Sequence, residues 1–285
     1  MKNIFGKLLS YAIQLWLYAT GTRVDLNKDK WLQSPMGDAG KIGADFYHRF
    51  ATKEHLICTI DANNSGLIPN FDALNGQGFN AQTVQATIGD FYEHTADYQL
   101  EVWSQWFGII APFAKVLISS VSRQIEQLNI PLQPLETSRG MSSQIISLTN
   151  PITQKQVYAC WLRKTRLSNQ VVYAGFYSIC QPPLHNNPCV KVVFPLPNGN
   201  VTVLLYPQRQ ADGSFKLLSE GKRIGETGYY RVHNLGNNRV AVRFIPLKEC
   251  IHVYTDAEAV LRTNHTFTFW GKKFLELHYK ITPKL

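Results

Sequence analysis

The feature that most restricts the fold of this chain is a change of period. After NIPLQPLETSRGM the sequence breaks into short runs: SQIISL, QVYACWLRK, QVVYAGFYSI, CVKVVFPL, VTVLLYP, SFKLLS, GYYRVH, RVAVRFIPL, CIHVYTD and TFTFWGKKFLELHYKI. Each is rich in β-branched or aromatic residues and is bounded by turn chemistry, so each reads as a strand or a strand pair. Asn198-Gly199 is the strongest hairpin signal, with Asp212-Gly213 and Gly271 marking others. No helical pattern separates the runs, which leaves antiparallel order and excludes a βαβ succession.

The preceding part reads differently. In GADFYHRFA, Phe46, Tyr47 and Phe50 fall at helical spacing. In TVQATIGDFYEHTADYQLEVWSQWF, Val84, Ile88, Phe91, Tyr92, Tyr98, Val102 and Trp106 form a broad apolar stripe, which predicts one long helix or two abutting ones. PFAKVLISSVSRQIEQL predicts another, with Pro112 near its first turn and Val121, Ile125 and Leu128 among the inward residues. The expected class is therefore α+β. A mainly helical region, 1–130, packs on a large curved antiparallel β-sheet or partial β-barrel, 131–285, in one integrated domain, with helices covering a face or plugging a mouth.

At 285 residues, 45% of them apolar and 17% charged, the chain has the composition of a globular protein with a sizeable core. Its five cysteines are an odd number with no C-x-x-C pair, so a disulfide framework is not expected. The spacing of Cys180, His185 and Cys189 matches no zinc knuckle, and no metal is expected. Charge is uneven along the chain: residues 1–130 hold ten Lys/Arg and twelve Asp/Glu, residues 131–285 nineteen and eight. The basic excess of the second part points to an anionic partner, either a lipid headgroup or a small acid. Nucleic acid is not expected, because no aromatic RNA-binding signature or cysteine finger accompanies the charge.

Residues 1–20 carry two lysines and an apolar run from Leu8 to Ala19, interrupted by Ser10 and Gln14. Ser10, Gln14 and Lys7 fall on one narrow arc, opposite Ile4, Phe5, Leu8, Leu9, Ala12, Leu15 and Trp16. That is an amphipathic helix too short to span a bilayer, suited either to a core or to a membrane interface. A cytoplasmic protein, peripheral to the membrane through residues 1–20, is the expectation.

Two motifs invite chemistry and fail on inspection. DANNSGLIPNFD places Asp61, Asn63, Ser65, Gly66 and Asp72 as an EF-hand would, but a strand-like HLICTI precedes it and a glycine-bearing loop follows. GDAGKIG lacks the spacing and the Ser/Thr of a phosphate loop. No G-x-S-x-G is present.

Two groups of residues remain as site candidates. Glu93, His94 and Asp97 lie on or beside one stripe of the predicted helix, where carboxylates near a histidine suit acid/base catalysis. Ser138 and Arg139 sit at the junction of the two regions, where an anion would meet backbone N–H groups and a guanidinium. Arg163 and Lys164, with Arg166, cluster in WLRKTRL as a surface for acidic groups, and Lys222/Arg223 and Lys272/Lys273 add to it.

The segments FYEHTADYQLEVWSQW, RQIEQLNIPLQPLETSRGM, VKVVFPLPNGN and TNHTFTFWGKKFLELHYKI resemble an uncharacterised bacterial family. Its members are similar to standalone actinobacterial proteins and, more distantly, to the soluble tail of YndJ-like membrane proteins. The resemblance covers most of the chain after about residue 40 and brings no catalytic motif or ligand. It implies a setting at a membrane. The function expected from the residues is non-enzymatic binding of a lipid or other hydrophobic, anionic small molecule, with no cofactor. The alternatives are an enzyme built on Glu93, His94 and Asp97, or a scaffold for a protein partner; neither ligand identity nor oligomeric state is legible.

Overall fold

The computed structural model describes residues 2–63, 65–108, 112, 118–130 and 140–284. Fourteen strands form one antiparallel sheet. In chain order they are β1 (Thr22–Asp25), β2 (Ile57–Ile60), β3 (Tyr98–Trp106), β4 (Met141–Thr149), β5 (Gln156–Thr165), β6 (Val171–Cys180) and β7 (Cys189–Leu196). Then follow β8 (Gly199–Arg209), β9 (Phe215–Leu218), β10 (Gly228–Gly236), β11 (Arg239–Ile245), β12 (Leu247–Thr255), β13 (Leu261–Phe269) and β14 (Lys272–Pro283). Every run read as a strand from the sequence is one. The hairpins turn where expected: Asn198 and Gly199, and Trp270 and Gly271, all take positive φ, as tight two-residue turns require.

The main ladder runs β2-β4-β5-β6-β7-β8-β9-β12-β13-β14-β3. Along its first half β8 pairs with both β7 and β10, and its last four residues, Tyr206 to Arg209, pair with β9. The sheet therefore forks at β8, and β10, β11 and β1 form the side branch. The ladder curls without closing: β3 and β4 come near each other with no ladder bonds between them.

The mainly helical character expected of residues 1–130 is corrected. Among the described residues the longer helices are α1 (Lys2–Thr20), α2 (Phe46–Lys53) and α3 (Ala86–Glu93), and the chain is mostly β. A helix across 84–106 does not exist, because α3 ends at Glu93, Thr95–Asp97 form a 3-10 turn and β3 begins at Tyr98. Tyr98, Val102 and Trp106 are four residues apart, a spacing that one helical face and one strand face share. Leu100 and Ser104 between them complete the period of two that makes the segment a strand. In PFAKVLISSVSRQIEQL, the described part is a π-type turn Ile118–Ser122 that runs into a helical turn Arg123–Ile125. β1, β2 and β3 from the first region pair with β11, β4 and β14 of the second.

Both faces of the sheet are covered from β4 to β8, which is why those strands read as near-continuous apolar runs, whereas the outer face of β3 carries exposed Gln99, Glu101, Trp103 and Gln105. Ile42, Phe46 and Ala51 pack on the outer face of β4 to β7, with Phe46 edge-on to Phe176 at 5.7 Å between ring centres. Leu26, Leu32 and Trp31 cover Tyr230, Val232 and Val240. Inside the curl, α3 and the turns before it fill one end: Phe71 and Tyr92 meet Phe215 at 5.2 and 5.5 Å. Val102, Phe267, Phe274 and Leu275 cluster toward the opposite end. No helix among the described residues is long and apolar enough to cross a membrane.

Candidate functional site

Between these two inner clusters lies a cavity of about 500 Å³, a volume usual for small-molecule sites. Its wall is the inward face of the curled sheet, supplied by alternate residues of seven or more strands, such as Val192, Val203, Leu217, Ile251 and Leu277. Ile118, Ser122, Leu128 and Ile130 border it from the segment before β4. That segment is anchored on β6, where Gln127 Nε2 donates to the Ala174 carbonyl at 3.0 Å and Asn129 N to the Val172 carbonyl at 2.7 Å.

Very few charged groups enter this lining: Arg163, and Glu249 with its partner His265. Arg163 stands on β5, where residues 159, 161 and 163 point inward and Cys160 and Leu162 face the outer cluster. A bulge follows immediately, since Arg163 pairs with Tyr173 but Lys164 with Val171. Bulges re-aim side chains at functional rims.

The guanidinium is 0% exposed, and none of its three nitrogens makes a well-formed hydrogen bond among the described residues, although the Tyr173 and Tyr279 hydroxyls lie near enough to interact weakly with it. What it has is aromatic: its carbon lies 5.3 Å from the Trp161 ring centre and 5.5 Å from that of Tyr279. Such faces compensate a cation by about 0.5 to 2 kcal/mol, well short of what burial of an unpaired ion costs.

Comparison with the other buried cations sharpens the point. Lys191 Nζ donates to the carbonyls of Gln33 and Trp31 at 2.7 and 3.2 Å. Arg231 Nη1 donates to the carbonyls of Asn200 and Val232 at 2.8 and 2.5 Å. Burial lowers the pKa of both, that of Arg231 to about 10. Each is a bracket between backbone segments, whereas Arg163 brackets nothing.

Glu249, on β12, is already engaged. Its two carboxylate oxygens take the Tyr229 hydroxyl and His265 Nε2, and its backbone N–H donates to Ser219 Oγ at 2.8 Å. Glu249 is thus hydrogen-bonded within the wall, whereas no carboxylate among the described residues pairs with Arg163. Tyr173, Tyr177 and Tyr279 also face the cavity, and burial pushes their hydroxyls up, so they are neutral at physiological pH. Arg163 pulls Tyr173 and Tyr279 the other way without overcoming burial.

Of the residues singled out in the sequence, Arg163 is inside the cavity rather than on a basic surface, which corrects the grouping of WLRKTRL. Lys164 is half-buried on the opposite face of β5, and Arg166 is exposed beyond its end. Ser138 and Arg139 lie outside the described residues. Glu93, His94 and Asp97 are not brought together on one helix face. Glu93 Oε1 accepts the Phe71 backbone N–H, His94 Nδ1 pairs with Asp90 at 2.8 Å, and exposed Asp97 accepts the Lys284 N–H through its carbonyl. None of the three borders the cavity. In the calcium-like stretch, Asp61 exchanges backbone and side-chain bonds with Ile145, extending the β2–β4 ladder, and Asp72 takes the Gln82 amide at 3.0 Å.

Glu249, His265 and Tyr229 went unnoticed in the sequence. They stand on three separate strands, β12, β13 and β10, with ordinary strand residues around them, and the only available signal was an acid at an inward position of an otherwise apolar run.

No protein-family model matches the chain, and no solved structure matches it. It is 25% identical over 256 residues to a protein of Bacillus subtilis (strain 168) described as uncharacterized membrane protein YndJ. The match takes in 86% of this chain and 44% of that protein, so the chain spans less than half the length of the relative. Along most of its length, then, the chain is similar to YndJ, as the resemblance in its sequence implies.

Proposed function

We propose that this chain binds, inside the curl of its sheet, a small amphipathic anion with an apolar body and an acidic head held by Arg163. One observation carries the reading: a fully buried guanidinium with no well-formed hydrogen bond among the described residues, at the wall of an apolar cavity. A carboxylate or a phosphate monoester suits its fork geometry, and an apolar tail suits the remaining wall. The similarity to a membrane protein supports placing this binding at a membrane. An open cavity also favours carriage of a ligand over a scaffold with a filled core. An acid/base enzyme built on Glu93, His94 and Asp97 draws no support from residues that serve Phe71, Asp90 and Lys284.

The test is titration of the chain with a fluorescent fatty acid in the absence of vesicles, against the matching fatty alcohol. Binding of the acid, displacement by unlabelled acid and poor binding of the alcohol are expected. Equal affinity for acid and alcohol, or none for either, overturns the reading.

A further inference from the structure

We propose that the outward face of α1 docks on a bilayer surface containing anionic lipid, next to the cavity wall; only what the docked chain exchanges with that surface rests on the amphiphile reading. The observation is an apolar stripe on the outward side of α1. Leu8, Tyr11, Leu15 and Tyr18 recur at intervals of three and four and are 63, 68, 57 and 54% exposed, with Trp16 beside them at 43%. The side turned to the protein holds Leu17, which is fully buried, and Gln14, whose Oε1 accepts from Asn198 Nδ2 at 2.8 Å. Ser10 and Gln14, the polar arc of the sequence, are half-buried together with Leu9 and Ile13, while the larger apolar stripe of Leu8, Tyr11, Leu15 and Tyr18 faces out. A helix resting on its own domain in water has the opposite arrangement.

The orientation is fixed at the C-terminal end. A Cβ at Gly21 would stand 2.9 Å from Ala241 Cβ and 2.6 Å from the Leu17 carbonyl oxygen, so only glycine lets the chain pass this close to β11. Arg243 Nη1 donates to the Thr20 carbonyl at 3.1 Å, and Arg23 Nη2 to that of Tyr18 at 2.6 Å.

Charge identifies the occupant as lipid. Arg23 lies 4.6 Å over the Tyr18 ring and Arg243 5.2 Å over that of Trp16, so cations border the aromatic end of the face. No acidic residue occurs before Asp25. Trp and Tyr beside arginine on an exposed apolar stripe is the composition of a helix lying in a headgroup layer, with the rings at the boundary and the cations on phosphates. A second copy is a poorer occupant, because a two-fold interface on this face would set the same arginines against each other.

α1 also lies against the turn Ile118–Ser122. Ile118 and Ser122 of that turn border the cavity. One helix thus connects a lipid surface to the wall of the ligand site.

The experiment is co-sedimentation of the full chain with vesicles of phosphatidylcholine alone and with about one third phosphatidylglycerol. Association with the anionic vesicles only is expected. Tyr11→Glu/Leu15→Glu, both exposed and so compatible with folding, is expected to weaken it at least about tenfold. Arg23→Glu is expected to weaken it on the anionic vesicles. Arg163→Met is expected to sediment as the parent does while losing fatty-acid binding, so failure of docking and failure of the cavity reading are told apart. No association by the parent, undiminished association by the double variant, or a parent dimer that the double variant converts to monomer overturns the proposal.

Discussion

The Arg163 guanidinium and the Tyr279 ring face each other across the cavity wall at 5.5 Å, a contact that leaves the three guanidinium nitrogens without a well-formed hydrogen bond among the described residues. A π-face answers a cation's charge only in part and gives its N–H donors nothing. Arg163 is therefore held ready rather than neutralised.

Replacing it separates function from stability with opposite signs. Arg163→Met removes an unpaired buried ion and leaves a side chain of similar length, so the ligand-free protein is expected to be as stable as the parent or more so, by up to about 3 kcal/mol. Affinity for an anionic amphiphile is expected to fall about a hundredfold. Urea denaturation and fatty-acid titration read the two; a strongly destabilised variant would make Arg163 a structural residue.

Filling the cavity offers an independent check. Val203 is buried on β8 with its side chain in the lining, and Val203→Phe adds volume where there is space. Stability within about 1 kcal/mol of the parent is expected, against the 1 to 3 kcal/mol loss of overpacking in a solid core. Weaker binding of long-chain acids than of short ones should accompany it in the same titration.

The Glu249 cluster is expected to behave as structure. Glu249→Leu strands the Tyr229 hydroxyl and His265 in an apolar wall and should cost about 3 kcal/mol in a denaturant melt. Glu249→Gln, which keeps an acceptor for Tyr229, should cost less. Equal losses would mean that the carboxylate charge, not the hydrogen bonds, holds the cluster.

A small acid-sensitive contribution lies outside the cavity. Tyr98 hydroxyl and His94 Nδ1 both bind the Asp90 carboxylate, and the Tyr98 bond, foremost, holds its pKa below the ordinary 3.8. A carboxylate depressed on folding stabilises above its unfolded pKa and loses that contribution as pH falls through the folded one. Asp90 is half exposed, so Tyr98→Phe should cost only about 0.5 kcal/mol at pH 7. The difference from the parent should shrink toward pH 2, measured by thermal melts across that range.

Much of the fold was legible locally. A period of two, Asn198-Gly199 and Trp270-Gly271 specify strands and tight turns by themselves, because alternation and positive φ are properties of neighbouring residues. Tyr98, Val102 and Trp106 misled because a spacing of four suits helix and strand alike; pairing with β14 decides for strand. The outward turn of the α1 apolar stripe was equally hidden. The sequence defines two faces, but Asn198 and Ala241, far away in the chain, decide which one turns inward.

The candidate site divides along the same line. WLRKTRL marks Arg163 as a cation near an acid-seeking surface, and its alternation with Leu162 and Lys164 puts it on one face of β5. Whether that face meets water, a filled core or a cavity depends on how the sheet curls and which strands stand opposite, and those are contacts between separate strands: Tyr279 over the guanidinium from more than a hundred positions away, Glu249 committed to Tyr229 and His265. The sequence by itself determined the strands, their turns and the positive charge. Only the tertiary structure decided that one of those charges is enclosed without a carboxylate partner among the described residues, because enclosure is set by the whole curled sheet and not by any segment of it.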